Sequence, residues 1–345
     1  MDQTQQRVLA YEPYPGEPAA VDSLEVEIVD KQRRRLINST VVSVVLGVVL
    51  GLLPSDPVTI AFVAILGASA GYSLWALLFR LLPCARLLRH PVIRLTPGPG
   101  QLLTSGAKVS VALAGPEPRW VVVRLRRSQR TLLAGVRQMF FVGPDARGRV
   151  LVTLPGGITG RFGRIRRVPA PGSVEPAVQP RPLVAARQDP VVTAFLREVW
   201  LRCGWLVVVY ELCAVGIWAA GQALLDAPIT GSFTTVLAVC YAVIGLMAPL
   251  RVAVLSSAVK TKPWQELHAT LYTAIEPGAS GTAKAEGRVL LADGEARIQF
   301  RRTPFDVLVN VRATERLWVL GVPERGKKVV VGLPGYPVLG LAKLR

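Results

Sequence analysis

Four apolar runs decide what this chain can fold into. Leu36–Leu53, Val58–Leu82, Cys203–Leu225 and Ile229–Leu250 each come close to the roughly 20 residues that a helix needs to cross a bilayer. Runs of this kind predict four transmembrane helices in two tandem hairpins. The first begins behind a polar N-terminal stretch with no small-residue cleavage site after it, so it is expected to stay in the mature protein rather than act as a removable signal.

Composition adds the second constraint. The chain is 51% hydrophobic and carries a formal charge of +18, a pairing that ordinary soluble domains rarely show. The basic residues lie on one side of the runs: Lys31–Arg35 before the first, Arg86 and Arg89 after the second, Arg197 and Arg202 before the third, Arg251 and Lys260 after the fourth. The short connections Leu52–Thr59 and Leu224–Thr230 contain no base. By the positive-inside rule both termini and all soluble parts are expected in the cytoplasm, in a multi-pass protein of a bacterial inner membrane. The Arg, Ala, Gly, Pro and Val usage looks like that of a high-GC bacterium.

A repeat organises the rest. Pro57 and Thr59 match Pro228 and Thr230 at a spacing of 171, and Leu154-Pro155-Gly156 matches Leu333-Pro334-Gly335 at 179. Arg126-Arg127 pairs with Arg301-Arg302, and Val136-Arg137 with Val311-Arg312. His90 and His268, the only histidines, each precede a Pro-Gly turn. An even number of crossings per unit gives the two copies the same orientation, a parallel duplication.

The expected organisation is a disordered tail (1–22), a juxtamembrane helix and first hairpin (23–83), a β domain (84–168), a Pro-rich linker (169–188), a second juxtamembrane helix and hairpin (189–250), and a second β domain (251–345). Asp189 and Pro190 predict a capped start for the second lead helix. The fold class is thus integral membrane α+β, with each hairpin followed by a small barrel- or sandwich-like domain. Strands are predicted over Lys108–Leu113, Trp120–Leu125, Met139–Val142 and Val150–Leu154. In the second copy they are predicted over Leu267–Thr273, Arg288–Leu291, Ala296–Phe300, Leu317–Leu320 and Lys328–Leu333, with Asp293-Gly294 as a hairpin turn. Each Leu-Pro-Gly ends a strand, because Pro cannot donate to the ladder and Gly permits the turn.

Candidate functional residues follow. Gly47 and Gly51, and Gly67 and Gly71, stand one turn apart and allow close helix approach, within one hairpin or in a homo-oligomer. Glu211 is an ionisable group inside a membrane run, expected to be structural, either snorkelling or bridged to Arg80, or else to carry protons or ions. Arg119, Arg124, Arg126, Arg127, Arg130, Arg301, Arg302, Lys327 and Lys328 make basic surfaces suited to anionic lipid headgroups. Nucleic acid is the less favoured ligand: Trp120 and Phe140 offer stacking faces, yet no helix-turn-helix, RNP-like or zinc motif accompanies them.

No Walker A, GxSxG or HExxH sequence occurs, and the four cysteines lack CxxC spacing. Neither enzyme activity, cofactor nor metal is therefore expected. The reading is a membrane scaffold that presents two basic cytoplasmic β domains to a protein partner, with a small transporter or channel component using Glu211 as the alternative.

Overall fold

The computed structural model describes residues 10–18, 23–52, 57–175, 185–224, 228–278 and 281–345. Helices α1 (Ser23–Gly51) and α2 (Pro57–Ala76) form the first antiparallel pair, and α2 runs on through a π-helical turn (Leu77–Leu81) into α3 (Leu82–Leu87). A sheet of eight strands follows: β1 (Val92–Leu95), β2 (Leu102–Ser105), β3 (Lys108–Leu113), β4 (Arg119–Arg124), β5 (Met139–Val142), β6 (Arg149–Thr153), β7 (Arg161–Arg166) and β8 (Ser173–Val174). Helix α4 (Arg127–Val136) is inserted between β4 and β5.

The second half repeats the plan. Helices α5 (Pro190–Leu224) and α6 (Pro228–Thr261) pair, and then come β9 (Trp264–Leu271), β10 (Glu276–Pro277), β11 (Thr282–Leu291), β12 (Gly294–Pro304), α7 (Phe305–Thr314), β13 (Arg316–Leu320), β14 (Lys328–Gly332) and β15 (Leu339–Leu344).

The two sheets share one connectivity. Their strand orders are β2-β3-β4-β7-β6-β5-β1, with β8 added beside β2, and β10-β11-β12-β15-β14-β13-β9. In the second, β9 also pairs with β11 and closes a barrel of six strands; in the first, β1 stops at Leu95 and the ring stays open. Interior positions are Val, Leu, Ile and Phe, including Val109, Val111, Phe141, Ile298, Phe300 and Val331, and one continuous core joins both sheets to the starts of α1 and α5.

Among the described residues, three helical segments are long and apolar enough to cross a membrane: Val26–Gly51, Pro190–Gly216 and Ala238–Thr261. Two of these begin earlier than the apolar runs suggest, because each lead segment is continuous with its long helix. The arm α2, expected as a fourth span, is not among the three. Asp189 caps α5 as its position implies, its Oδ1 accepting from the Val191 amide at 2.9 Å and the Val192 amide at 3.3 Å.

Several expectations need correction. Residues 10–18 are held in place rather than left as a free tail: the Gly16 amide donates to the Val92 carbonyl and the Val92 amide to Glu17, both at 2.9 Å, and Pro18 bridges Pro91. Part of the Pro-rich linker joins β2 as strand β8, while residues 176–184 lie outside the described residues.

The register of the repeat also shifts. Both inserted helices end on a left-handed residue, Arg137 (φ 48°) and Glu315 (φ 53°), at a spacing of 178. Arg126 therefore corresponds to Pro304, and the double-arginine and Val-Arg matches are three residues out. The histidines do not correspond either: Val92 faces Val142 as Trp264 faces Leu320, which sets His90 two residues before its strand and His268 inside its own.

Candidate functional site

The Leu-Pro-Gly repeats occupy the seam between the two β domains. Leu154 and Leu333 are buried in the shared core. Each glycine takes a left-handed turn, with φ +75° at Gly156 and +80° at Gly335. A Cβ on Gly156 would sit 2.7 Å from the Tyr336 ring, so the first turn lies directly against the second. The Gly156 amide donates to the Tyr11 carbonyl at 2.8 Å, and the Gly335 amide donates to Asp189 Oδ2 at 2.7 Å. Each turn is thereby tied to the segment that leads into a long helix pair.

Two polar residues of α7 lock this seam. Asn310, 2% exposed, accepts from the Tyr11 amide at 2.7 Å and donates to the Gly156 carbonyl at 2.8 Å. Asp306 Oδ1 accepts from the Ile158 amide at 2.9 Å, and Thr159 adds its amide and hydroxyl. Burial raises the Asp306 pKa above the usual carboxylate range against those hydrogen bonds. Neither residue stands out in the sequence, since an Asp or Asn in a short helix ordinarily faces water.

A second constellation lies where the first β domain meets the helix pairs. Glu198 of α5 reaches the start of α4, its Oε1 accepting from the Ser128 amide at 2.8 Å and its Oε2 from the Ser128 hydroxyl at 3.1 Å. A carboxylate there satisfies an otherwise unpaired helix-start amide and suits the helix dipole. Around it gather three arginines from three elements, Arg126 ahead of α4, Arg161 at the start of β7 and Arg202 of α5, and Arg80 at the end of the first helix pair adds a fourth positive charge beside Arg161. Arg202 Nη2 is 3.8 Å from Glu198 Oε2.

Burial, and then the positive charges of Arg161 and Arg202, pull the Arg126 pKa down to about 10 against the opposing Glu198. Arg161 is lowered too, first by burial and then by Arg202 and Arg80. Arg80 also lies 5.9 Å from the centre of the Trp75 ring. Sequence reading placed Arg80 and Arg126 in separate roles and passed over Arg161 and Glu198. The i,i+4 spacing of Glu198 and Arg202 was the available signal.

Glu211 belongs to a different place. Among the described residues it makes no ion pair with Arg80; its Oε1 is buried without a hydrogen-bond partner, and a Cβ on Gly245 of α6 would come within 3.5 Å of it. The glycine pairs do not make the α1–α2 seam. Of the four, only Gly47 looks onto the partner helix, toward Leu66, while Gly51, Gly67 and Gly71 have nothing within 4 Å of a built Cβ. Serines line the seam instead, with Ser43 to Ser69 and Ser73 to Ser39 both at 3.4 Å.

The remaining basic residues are spread over the surface. Arg124, Arg127, Arg301, Arg302 and Lys328 are exposed, Arg119 pairs with Glu117 at 2.9 Å, and Lys327 with Glu324 at 2.5 Å. Arg130 has a buried Nε without a partner. Phe140 is fully buried and offers no stacking face. A cleft of about 470 Å³ opens between α2–α3 and the β5–β6 loop, its lining including Phe79, Leu82, Arg86, His90 and Arg147. All four cysteines carry free thiols.

No protein-family model matches this sequence, and neither a curated protein nor a solved structure was found to be similar to it.

Proposed function

We propose that this chain is a non-catalytic protein of the bacterial inner membrane, a scaffold whose two hairpins hold a joined pair of cytoplasmic β domains for a protein partner at the inner leaflet. The observation that carries this reading is how bare the long helices are. The apolar windows of the three candidate spans are at most 14% buried within the chain, and Val41, Val42, Val45, Val48 and Val49 of α1 stand about half exposed. Continuous apolar surface of that extent is foreign to a monomer in water and ordinary in hydrocarbon. In this reading α2 is the fourth span, and the basic flanks hold both β domains on the cytoplasmic side. Their charge then favours anionic headgroups by about 1 kcal/mol for each well-placed Lys or Arg.

The test is fractionation followed by purification. The chain should stay in the membrane pellet through alkaline carbonate, and a mild-detergent extract should carry a stoichiometric protein through a high-salt wash. Recovery in the soluble fraction would end the membrane reading. A carbonate-resistant chain that retains lipid alone would end the scaffold reading.

Glu211 supports a second reading, passage of protons or ions along the α5–α6 pair, because its buried oxygen lacks a partner. Glu211→Gln should abolish a pH-dependent flux in reconstituted vesicles if that reading holds, and should leave partner retention unchanged if the scaffold reading does.

A further inference from the structure

The four-arginine constellation is poorly explained as a structural device. A fold that needed only to cap α4 would have done so with Glu198 alone. Both carboxylate oxygens of Glu198 are engaged by Ser128, and Arg202 reaches one of them at 3.8 Å. Three positive charges therefore face one negative charge that is largely committed elsewhere, and the fourth, Arg80, faces Arg161. Among the described residues, the guanidinium groups of Arg126 and Arg161 make no hydrogen bond to the protein, although both residues are half-buried. A guanidinium has five donors in a planar fork, a geometry that fits a tetrahedral oxyanion.

The surroundings narrow the ligand. Arg80 and Arg202 are exposed and sit on long helices beside large apolar side chains that are also exposed: Trp75, Leu78 and Phe79 on one side, Leu201 and Trp205 on the other. Tryptophan beside arginine at the end of an apolar helix is the pattern of a bilayer surface, with the ring at headgroup depth and the cation facing phosphate. A soluble phosphate ester would leave those rings uncovered. A lipid would place its phosphate among the guanidinia and its chains along the helices.

We propose that Arg80, Arg126, Arg161 and Arg202 form a binding site for the phosphate of an anionic phospholipid headgroup, seated between the first β domain and the two helix pairs. The site rests on the reading of those helices as membrane spans. It gives the lipid a definite place, in contrast to the diffuse attraction exerted by the rest of the basic surface. A bound phosphate would join four elements that are otherwise held apart by like charge: the end of the first hairpin, the β4–α4 junction, β7 and α5.

The test uses the full chain, extracted in mild detergent and placed in nanodiscs of phosphatidylcholine with or without phosphatidylglycerol, with retained lipid read by native mass spectrometry. The wild type should retain about one phosphatidylglycerol in preference to phosphatidylcholine. Arg126→Gln with Arg161→Gln should weaken that preference by about fivefold for each guanidinium removed. Arg80→Gln with Arg202→Gln, both at exposed side chains, should do the same without disturbing the fold, while Arg301→Gln with Arg302→Gln should not.

Equal loss in the Arg301/Arg302 pair would show a diffuse basic surface and overturn the site. Displacement of the lipid by millimolar glycerol phosphate, or saturable binding of glycerol phosphate in its absence, would reassign the site to a soluble phosphate. A carbonate-resistant wild type with no lipid preference would remove the site and leave the membrane reading standing. A chain that carbonate extracts would remove both.

Discussion

The two β domains follow the same strand order, yet one closes and the other does not. In the second, the β11–β12 hairpin is 10 and 11 residues long and β9 has 8, so β9 reaches from β13 on one side to β11 on the other. In the first, the matching β3 and β4 have 6 residues each and β1 has 4. Neither partner is long enough to meet the other. The free edge of β1 is covered instead by Gly16 and Glu17.

Closure removes edges, so the second domain completes its own ladder, whereas the first must borrow. It takes a strand-like neighbour from residues 16–18, a cap for α4 from α5, and an amide lock from Asn310 of α7. Of the two halves with this shared strand order, the first depends and the second supports.

The largest test of that asymmetry installs in the second copy what the first already has. Asn310 corresponds to Leu132, and Asn310→Leu would leave the Tyr11 amide and the Gly156 carbonyl without their partner. At about 1–3 kcal/mol for each buried group left unpaired, a loss of roughly 3–4 kcal/mol is expected. It is measured as the denaturant midpoint of the detergent-solubilised chain. An effect below about 1 kcal/mol would mean that the copies are not locked at this point.

The two turns should then differ in their tolerance of a methyl group. Gly156→Ala meets the Tyr336 ring as well as an unfavourable φ, and is expected to cost about 3 kcal/mol. Gly335→Ala has open space and should cost about 1 kcal/mol, the backbone strain alone. Equal shifts in Tm would break the comparison.

A smaller contrast separates the lead helices. Glu198 and Glu27 are 171 apart, but Glu27 is exposed and caps nothing among the described residues. Glu198→Ala should cost about 1–2 kcal/mol and Glu27→Ala close to nothing, read from the same unfolding curves.

The smallest effect concerns pH. Ser128 and Asp306 occupy matching places, and only the acid titrates. Because the folded state raises the Asp306 pKa, the fold binds more protons than the unfolded chain between the two values, so its contribution falls as pH rises through that window. Asp306→Asn should flatten the fall in stability from about pH 4 upward relative to wild type. An unchanged slope would show that the carboxyl is solvated.

Much of the sheet was legible from alternation. Lys108–Leu113 and Met139–Val142 match β3 and β5 as read, and Lys328–Leu333 overlaps β14, because valine-rich strands packed on a core carry their own signature. The inserted helices were not legible. "FDVLVNVRAT" is rich in β-branched residues that favour strands, and "RSQRTLLAGV" is short and polar, so tertiary packing decides both. The weaker strands β7 and β15, "RFGRIR" and "LGLAKL", also lack a clear period.

The candidate site was legible only residue by residue. Arg126 and Arg80 are visible as charges, but nothing local brings them beside Arg161 and Arg202 from two further elements. The tail misled for a similar reason: "YEPYPGEP" has the composition of a disordered segment, and it is held by backbone hydrogen bonds that do not depend on composition.

The bond from the Tyr11 amide to Asn310 spans 299 positions of chain. At a synthesis rate of about 5–20 residues per second, roughly 15–60 s separate the emergence of the two partners from the ribosome. During that interval the first domain has its strands but not its clasp. Any interruption of translation before α7 would leave the Tyr11 amide and the Gly156 carbonyl without Asn310. The seam of the first copy is thus complete only once the second copy has been made.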